Sequence, residues 1–138
     1  MQIDISKRRP IFERTDGRCH ICHKTLYFNN YGKKGSRGAW EIEHSNPRAN
    51  GGTDRLNNLY AACIGCNRSK GTKSTQSARA KNGKTRAPRS RHKKVEDAIQ
   101  WGGLGALCGL LVPPPYKLLI TIAGAFIGAN YGYKTEPD

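Results

Sequence analysis

Two Cys-x-x-Cys pairs, Cys19 with Cys22 and Cys63 with Cys66, flank the dipeptide Glu43-His44. Four thiolates at this spacing can close a tetrahedral zinc site. His20 and His23 are alternative ligands, so a mixed cysteine and histidine set stays open at this level. The same stretch carries a second set of groups: Glu43, His44, Asn58 and Asn67. Carboxylate and amide oxygens suit a hard divalent ion such as Mg²⁺. An imidazole can take a proton from water near neutral pH. One metal to hold a fold and a second to serve chemistry suggests a small metal-dependent nuclease.

These groups need a scaffold, and the local sequence outlines one. Residues 1–18 read as a short helix and its exit, with Ser6 as N-cap and Pro10 blurring the start. Asp16-Gly17 is a turn placed to deliver the first cysteine pair. Residues 28–38, rich in Asn, Gly, Lys and Ser, read as loop. Ala39 to Glu43 alternates in polarity and predicts a strand that Asn46-Pro47 ends. Asn50-Gly51-Gly52 marks a turn, and Leu59 to Ala62 a second strand. A helix is expected from near Cys66 towards Ser77, weakened by Gly71. The result is a ββα unit with little core of its own, which zinc would staple.

Charge and hydropathy then divide the chain. All of the excess charge, +14, lies in residues 1–98, whereas residues 99–138 are neutral. Such a surface attracts polyanions, nucleic acid first among them. Residues 68–94 hold eleven Lys or Arg and no acid, which reads as a phosphate-binding arm or a solvated spacer. Residues 99–133 are apolar and glycine-rich, broken by Pro113-Pro114-Pro115, with Gly105 and Gly109, then Gly124, Gly128 and Gly132, at helical spacing. Glycine costs about 1 kcal/mol against alanine in a soluble helix. Repeated at every fourth position it suits two helix backbones in contact, as in a bilayer. Trp101, Tyr116, Tyr131 and Tyr133 lie near the segment ends, where interfacial aromatics belong. Each half is short for a span of roughly 17–25 residues. The preferred reading is a tight helical hairpin in the membrane; the alternative is a soluble one. Cys108 stands alone here and reads as a small packing residue. Met1 to Phe12 lacks the apolar run of a secretory signal peptide, and paired Cys-x-x-Cys spacing points to a reducing compartment.

The chain resembles the HNH endonucleases (ββα-metal nucleases) over about residues 8–75. The resemblance is carried by Arg14 to Cys22, Glu41 to Pro47, Gly51-Gly52-Thr53, Asn58-Leu59 and Cys63 to Lys70. His44, Asn58 and Asn67 occupy the three name-giving positions, with Asn in the third, and Glu43 stands where Asp is frequent. The resemblance implies hydrolysis of DNA phosphodiester bonds that leaves 5′-phosphate ends. His44 would be the general base, and Asn58 would orient it by pinning the intervening loop. Glu43 and Asn67 would hold the catalytic divalent ion, with Glu41 a secondary candidate or a surface acid. Cys19, Cys22, Cys63 and Cys66 are assigned to structural zinc. Arg68 and Lys70, with Lys73, are placed to meet DNA phosphates, a solvated helix face being the alternative.

The expected fold is small α+β: a zinc-stapled HNH domain over residues 1–77, a basic linker over 78–97 and a glycine-rich apolar helical hairpin over 98–134. The expected activity is a Mg²⁺-dependent endonuclease with little sequence preference, since nothing reads as a base-reading element. With the hairpin inserted, it would sit at the cytoplasmic face of the inner membrane; with the hairpin soluble, in the cytoplasm. The competing readings are a zinc-stapled DNA-binding module without turnover, held at a membrane, and a nuclease toxin.

Overall fold

A computed structural model describes residues 5–110 and 117–134. Helix α1 (Ile5–Glu13) contains Pro10, which removes one N–H from the helix interior. It exits through Asp16 and Gly17, both at positive φ (50° and 68°), a corner that suits glycine and tolerates aspartate. Strand β1 (Trp40–His44) pairs antiparallel with β2 (Leu59–Cys63), Trp40 opposite Cys63 and His44 opposite Leu59. Both strands run one residue beyond the expected ends, because the pairing register continues to the site residues. Between them, 48–50 and 56–58 form single 3₁₀ turns.

Strand alternation decides which side chains meet the core. Trp40 and Ile42 point into it, joined by Ile11, Ile21, Leu26, Leu59 and Ala61. Trp40 is fully buried, lies 5.1 Å from the Phe12 ring and 4.9 Å from Tyr31, and donates its indole N–H to Phe28 O at 3.2 Å. Burying this indole supplies a large share of a small core, and its one polar atom is satisfied. Glu41 and Glu43 point to the opposite face, where helix α2 (Ile64–Lys70) lies against them.

The expected single helix from Cys66 to Ser77 is two. Helix α2 stops at Gly71 (φ 53°), and helix α3 (Thr75–Ala80) restarts after Ser74, whose side chain accepts from the Ser77 N–H. A glycine at positive φ, which a side chain would strain, followed by a serine cap is a stop and a start.

The chain divides into two compact units between Ser90 and Arg91. The second unit contains helices α4 (Arg91–Leu110) and α5 (Lys117–Lys134), so helix begins at Arg91 rather than near residue 98. The two helices pack antiparallel through their glycines. A Cβ on Gly105 would strike the carbonyl of Gly124; one on Gly128 would strike that of Trp101; one on Gly132 would strike that of Asp97. The helical spacing of these glycines thus brings backbones into contact. The Pro113-Pro114-Pro115 break lies outside the described residues. Among the described residues no helix is long and apolar enough to cross a membrane. Cys108 is exposed, not packed.

Candidate active site and metal cluster

The turn after α1 and the end of β2 bring four sulfurs together. Cys19 and Cys22 lie in the tight turn closed by the Arg18–Thr25 bridge, where the His23 N–H donates to Cys19 O at 2.9 Å. Cys63 ends β2, and Cys66 lies in the first turn of α2. The ligand atoms of Cys19, Cys22, Cys63 and Cys66 all lie within 4.8 Å of one another. Cys22 Sγ and Cys63 Sγ are 3.8 Å apart. Tetrahedral zinc with bonds of about 2.3 Å needs sulfurs roughly 3.8 Å apart, so the cluster fits that ion. Crowding splits the thiols' proton affinities: Cys22 draws down, and Cys63 falls to about 7, each chiefly through its hydrogen bond with Cys19. Contact with Cys22 pushes Cys19 up, and contact with Cys19 pushes Cys66 up.

The two histidines are engaged elsewhere, and neither joins the four sulfurs among the described residues. His23 places Nε2 2.9 Å from Arg86 O. His20 is buried, stacked on Tyr60 with ring centres 4.8 Å apart, and its Nε2 faces the Glu43 carboxylate. Arg79 donates to His20 O at 2.8 Å and reaches His20 Nδ1 at 3.1 Å. An arginine can only donate, so Nδ1 is the acceptor and Nε2 carries the proton towards Glu43. Burial pushes the pKa of His20 down and, with Arg79 and Lys70 nearby, outweighs the opposing pull of Glu43. Its Nδ1, accepting from Arg79, carries no proton.

Glu43 lies deeper than a surface ligand would. Its side chain is 1% exposed, and Lys70 Nζ sits 2.5 Å from Oε1. Burial pushes its carboxyl up, but His20 and Lys70 overcome that and hold the pKa below its ordinary value of 4.5. Lys70 also donates to His44 O at 2.8 Å. Its side chain is 1% exposed, so the expected phosphate contact by Lys70 is corrected. The reason is strand alternation: Glu43 faces α2, and Lys70 in the last turn of α2 neutralises it. Arg68 and Lys73 are exposed.

Removing one partner of a buried ion pair leaves the other charge stranded and costs about 3–5 kcal/mol. Lys70→Met is therefore expected to destabilise the first unit by that order in urea denaturation, with Glu43→Gln recovering part of the loss. The pair contributes fully above pH 4.5 and less as pH falls through the depressed folded value of Glu43. The Lys70→Met variant should accordingly lose less stability on acidification than wild type.

The other site residues line one open cleft of about 490 Å³, bounded by Glu41, Glu43, His44, Arg48, Asn67 and Lys70 among others. Asn67 donates Nδ2 to Glu41 Oε2 at 3.0 Å, which leaves its amide oxygen as a further acceptor. Glu41 also pairs with Arg68 at 3.1 Å. Carboxylate and amide oxygens thus share the cleft, a donor set that fits a hard divalent ion. Asn58 accepts from the Asn46 N–H at 2.7 Å and donates to Asn46 O at 3.0 Å and Thr53 O at 2.9 Å. These bonds tie both ends of the loop after His44. A Cβ on Gly52 would collide with Asn46 O, so only glycine allows this closure.

Two residues at His44 escape the sequence reading. Asp54 Oδ1 lies 2.7 Å from His44 Nε2, and Arg48 holds the same carboxylate at 2.8 Å. His44 and then Arg48 hold the Asp54 carboxyl below the usual carboxylate range. No spacing rule announces Asp54, because it reaches His44 from a loop; its place just after Gly51-Gly52-Thr53 is the one signal available.

Residues 19–73 match the family model described as HNH endonuclease. Over this segment the chain is similar to the HNH endonucleases. No curated protein and no solved structure matches the chain. The HNH segment spans both cysteine pairs, both strands and α2, so the matched region and the region around the cleft are the same.

Proposed function

We propose that the chain is an endonuclease that hydrolyses DNA phosphodiester bonds, with His44 as general base. The observation that carries this reading is the meeting of Glu41, His44 and Asn67 on one open cleft of the HNH segment. Glu41 and Asn67 would hold a divalent ion, Mg²⁺ or similar, which neutralises phosphate charge and stabilises the departing oxygen, whereas Glu43, expected as a ligand, is taken up by Lys70 and His20. His44 takes a proton from water as the water oxygen attacks phosphorus. The bond from phosphorus to the 3′ oxygen breaks, its electrons leave with that oxygen, and solvent returns a proton to it. Phosphate stays on the 5′ end.

The exposed Arg68 and Lys73 and the basic stretch over 68–94 supply sequence-independent attraction for the DNA backbone. A single site per chain cuts one strand, so nicking precedes any double-strand break. The test is supercoiled plasmid with Mg²⁺, Mn²⁺ or Ni²⁺. Open circles with 5′-phosphate ends are expected. Plasmid left intact with all three ions would favour a zinc-stapled DNA-binding module without turnover.

The second unit supports a further element of this reading. Gly102, Gly105, Gly124, Gly128 and Gly132 face the other helix, while Ile99, Leu107, Leu119, Phe126 and Ile127 are each more than 60% exposed. A water-facing helix pair would show the reverse arrangement. We propose that this apolar surface rests against a bilayer and holds the nuclease at the inner membrane. Flotation with lipid vesicles is expected. Recovery in the soluble fraction without detergent would refute it.

A further inference from the structure

The loop after β1 presents a carboxylate to the imidazole of His44 and fixes it there from two sides. Asp54 Oδ1 lies 2.7 Å from His44 Nε2. Arg48 grips this carboxylate with Nη2 at 2.8 Å from Oδ1 and 2.9 Å from Oδ2, and with Nε at 3.0 Å from Oδ1. The preceding residue, Thr53, is tied by its carbonyl to Asn58 Nδ2 at 2.9 Å. On the opposite side, the backbone of His44 is held by Lys70 Nζ, 2.8 Å from its carbonyl. The His44 backbone and the Asp54 carboxylate are thus each anchored independently of their mutual contact.

An ionised carboxylate accepts hydrogen bonds and cannot donate them. The contact with Asp54 therefore requires the ring proton on Nε2. Arg48 Nε, itself a donor, also lies 3.2 Å from His44 Nε2. That approach is longer, and the same nitrogen is 3.0 Å from Asp54 Oδ1. The shorter, charge-assisted bond decides the tautomer. With the proton on Nε2, a neutral ring keeps its lone pair on Nδ1.

We propose that Asp54, clamped by Arg48, is the positioning residue of His44, fixing the Nε2–H tautomer and so making Nδ1 the nitrogen that takes the proton from water. The proposal rests on the reading of His44 as general base. In that step the water O–H bond breaks, the proton passes to Nδ1, and Asp54 faces the resulting imidazolium without itself gaining a proton. The same carboxylate that orders the ring beforehand offsets its charge afterwards. Asp54 touches neither DNA nor the reacting atoms in this scheme, so its effect must run wholly through His44.

Asp54→Asn separates this from a loop-holding role. An asparagine can offer its amide N–H₂ to Nε2, which draws the lone pair to that nitrogen and moves the ring proton to Nδ1. In the full-length, zinc-loaded protein, ¹⁵N NMR of the imidazole is expected to show Nε2–H for His44 in wild type and a reversed or mixed tautomer in Asp54→Asn. Plasmid nicking with Mg²⁺ should lose about 10²-fold in kcat with KM little changed. Asp54→Glu should restore part of that loss, and Asp54→Asn should add nothing in a His44→Ala background. Zinc content and melting temperature serve as the folding control, since Asp54 is on the surface.

An unchanged tautomer in Asp54→Asn would overturn the proposal, as would an equal further loss in the His44→Ala background. The NMR readout decides the tautomer whether or not the plasmid is cut. Failure of the positioning role is thereby distinguished from failure of the nuclease reading, which is recorded by wild-type protein that leaves plasmid intact.

Discussion

Replacing Cys63 with Ser, or stripping zinc with a strong chelator, is expected to unfold the first unit outright. The core explains why. Two five-residue strands and short helices enclose a cluster centred on Trp40, and much of the remaining chain in that unit is loop. A core of this size leaves little surplus over the entropy of ordering the chain. The four sulfurs come from segments more than forty residues apart and tie the first turn to the junction of β2 and α2. Structural zinc sites of this kind contribute about 10–16 kcal/mol of apparent binding free energy near neutral pH. That is as large as the whole stability of a typical domain, about 5–15 kcal/mol. The expected result is loss of near-UV circular dichroism from Trp40 and collapse of amide dispersion, with one zinc per chain released on denaturation of wild type. A Cys63→Ser protein that melts at the wild-type temperature and carries no metal would remove the cluster from the folding argument.

How much of this site was legible in the sequence depends on whether each residue's partner is local. The cysteine pairs announce themselves, because ligand spacing within each pair is short and the residue type is rare. The strands are legible from alternation, and their ends fall within a residue of expectation. Asn58 as a loop pin comes from the resemblance to the HNH endonucleases alone, since a turn asparagine beside a strand can as well be a plain turn residue. What alternation could not say is what covers the face that Glu41 and Glu43 share. Lys70 reads as one more member of a basic run, yet it is buried because β1 puts a carboxylate opposite the last turn of α2. His20 reads as a spare ligand, yet it is held between Glu43 and Arg79, two partners from distant segments. Asp54 and Arg48 were illegible for the same reason: their meeting with His44 depends on how a loop closes. Helix capping explains the split at Gly71, where a single glycine could have been read as a weakness instead of a stop. In the second unit, glycine spacing foretold a close helix contact, while the partner of the outward apolar face is not a property of either helix alone.

His44→Ala is the second large effect, and it tests the chemistry without disturbing the clamp. The His44 side chain is only 16% exposed, but its polar contacts are with Asp54 and Arg48 on the surface, and Asp54 and Arg48 retain each other when it is removed. The bond from Lys70 goes to the His44 carbonyl, which alanine keeps. Zinc content and thermal stability should therefore stay close to wild type. Nicking should fall by about 10²–10⁴-fold, the usual contribution of a positioned general base, at an unchanged salt dependence of DNA binding. The two observables separate the proposed roles: phosphate affinity assigned to Arg68, Lys73 and the basic stretch, and proton removal assigned to one imidazole. Free imidazole added to the His44→Ala protein should restore a fraction of the lost rate, because a small base can enter the cavity the side chain leaves. It should restore none when Asn67 and Glu41 are also replaced, since the residues proposed to hold the divalent ion are then gone. If His44→Ala nicks plasmid as fast as wild type, the proton acceptor lies elsewhere in the cleft, and the pairing of His44 with Asp54 has a structural purpose only.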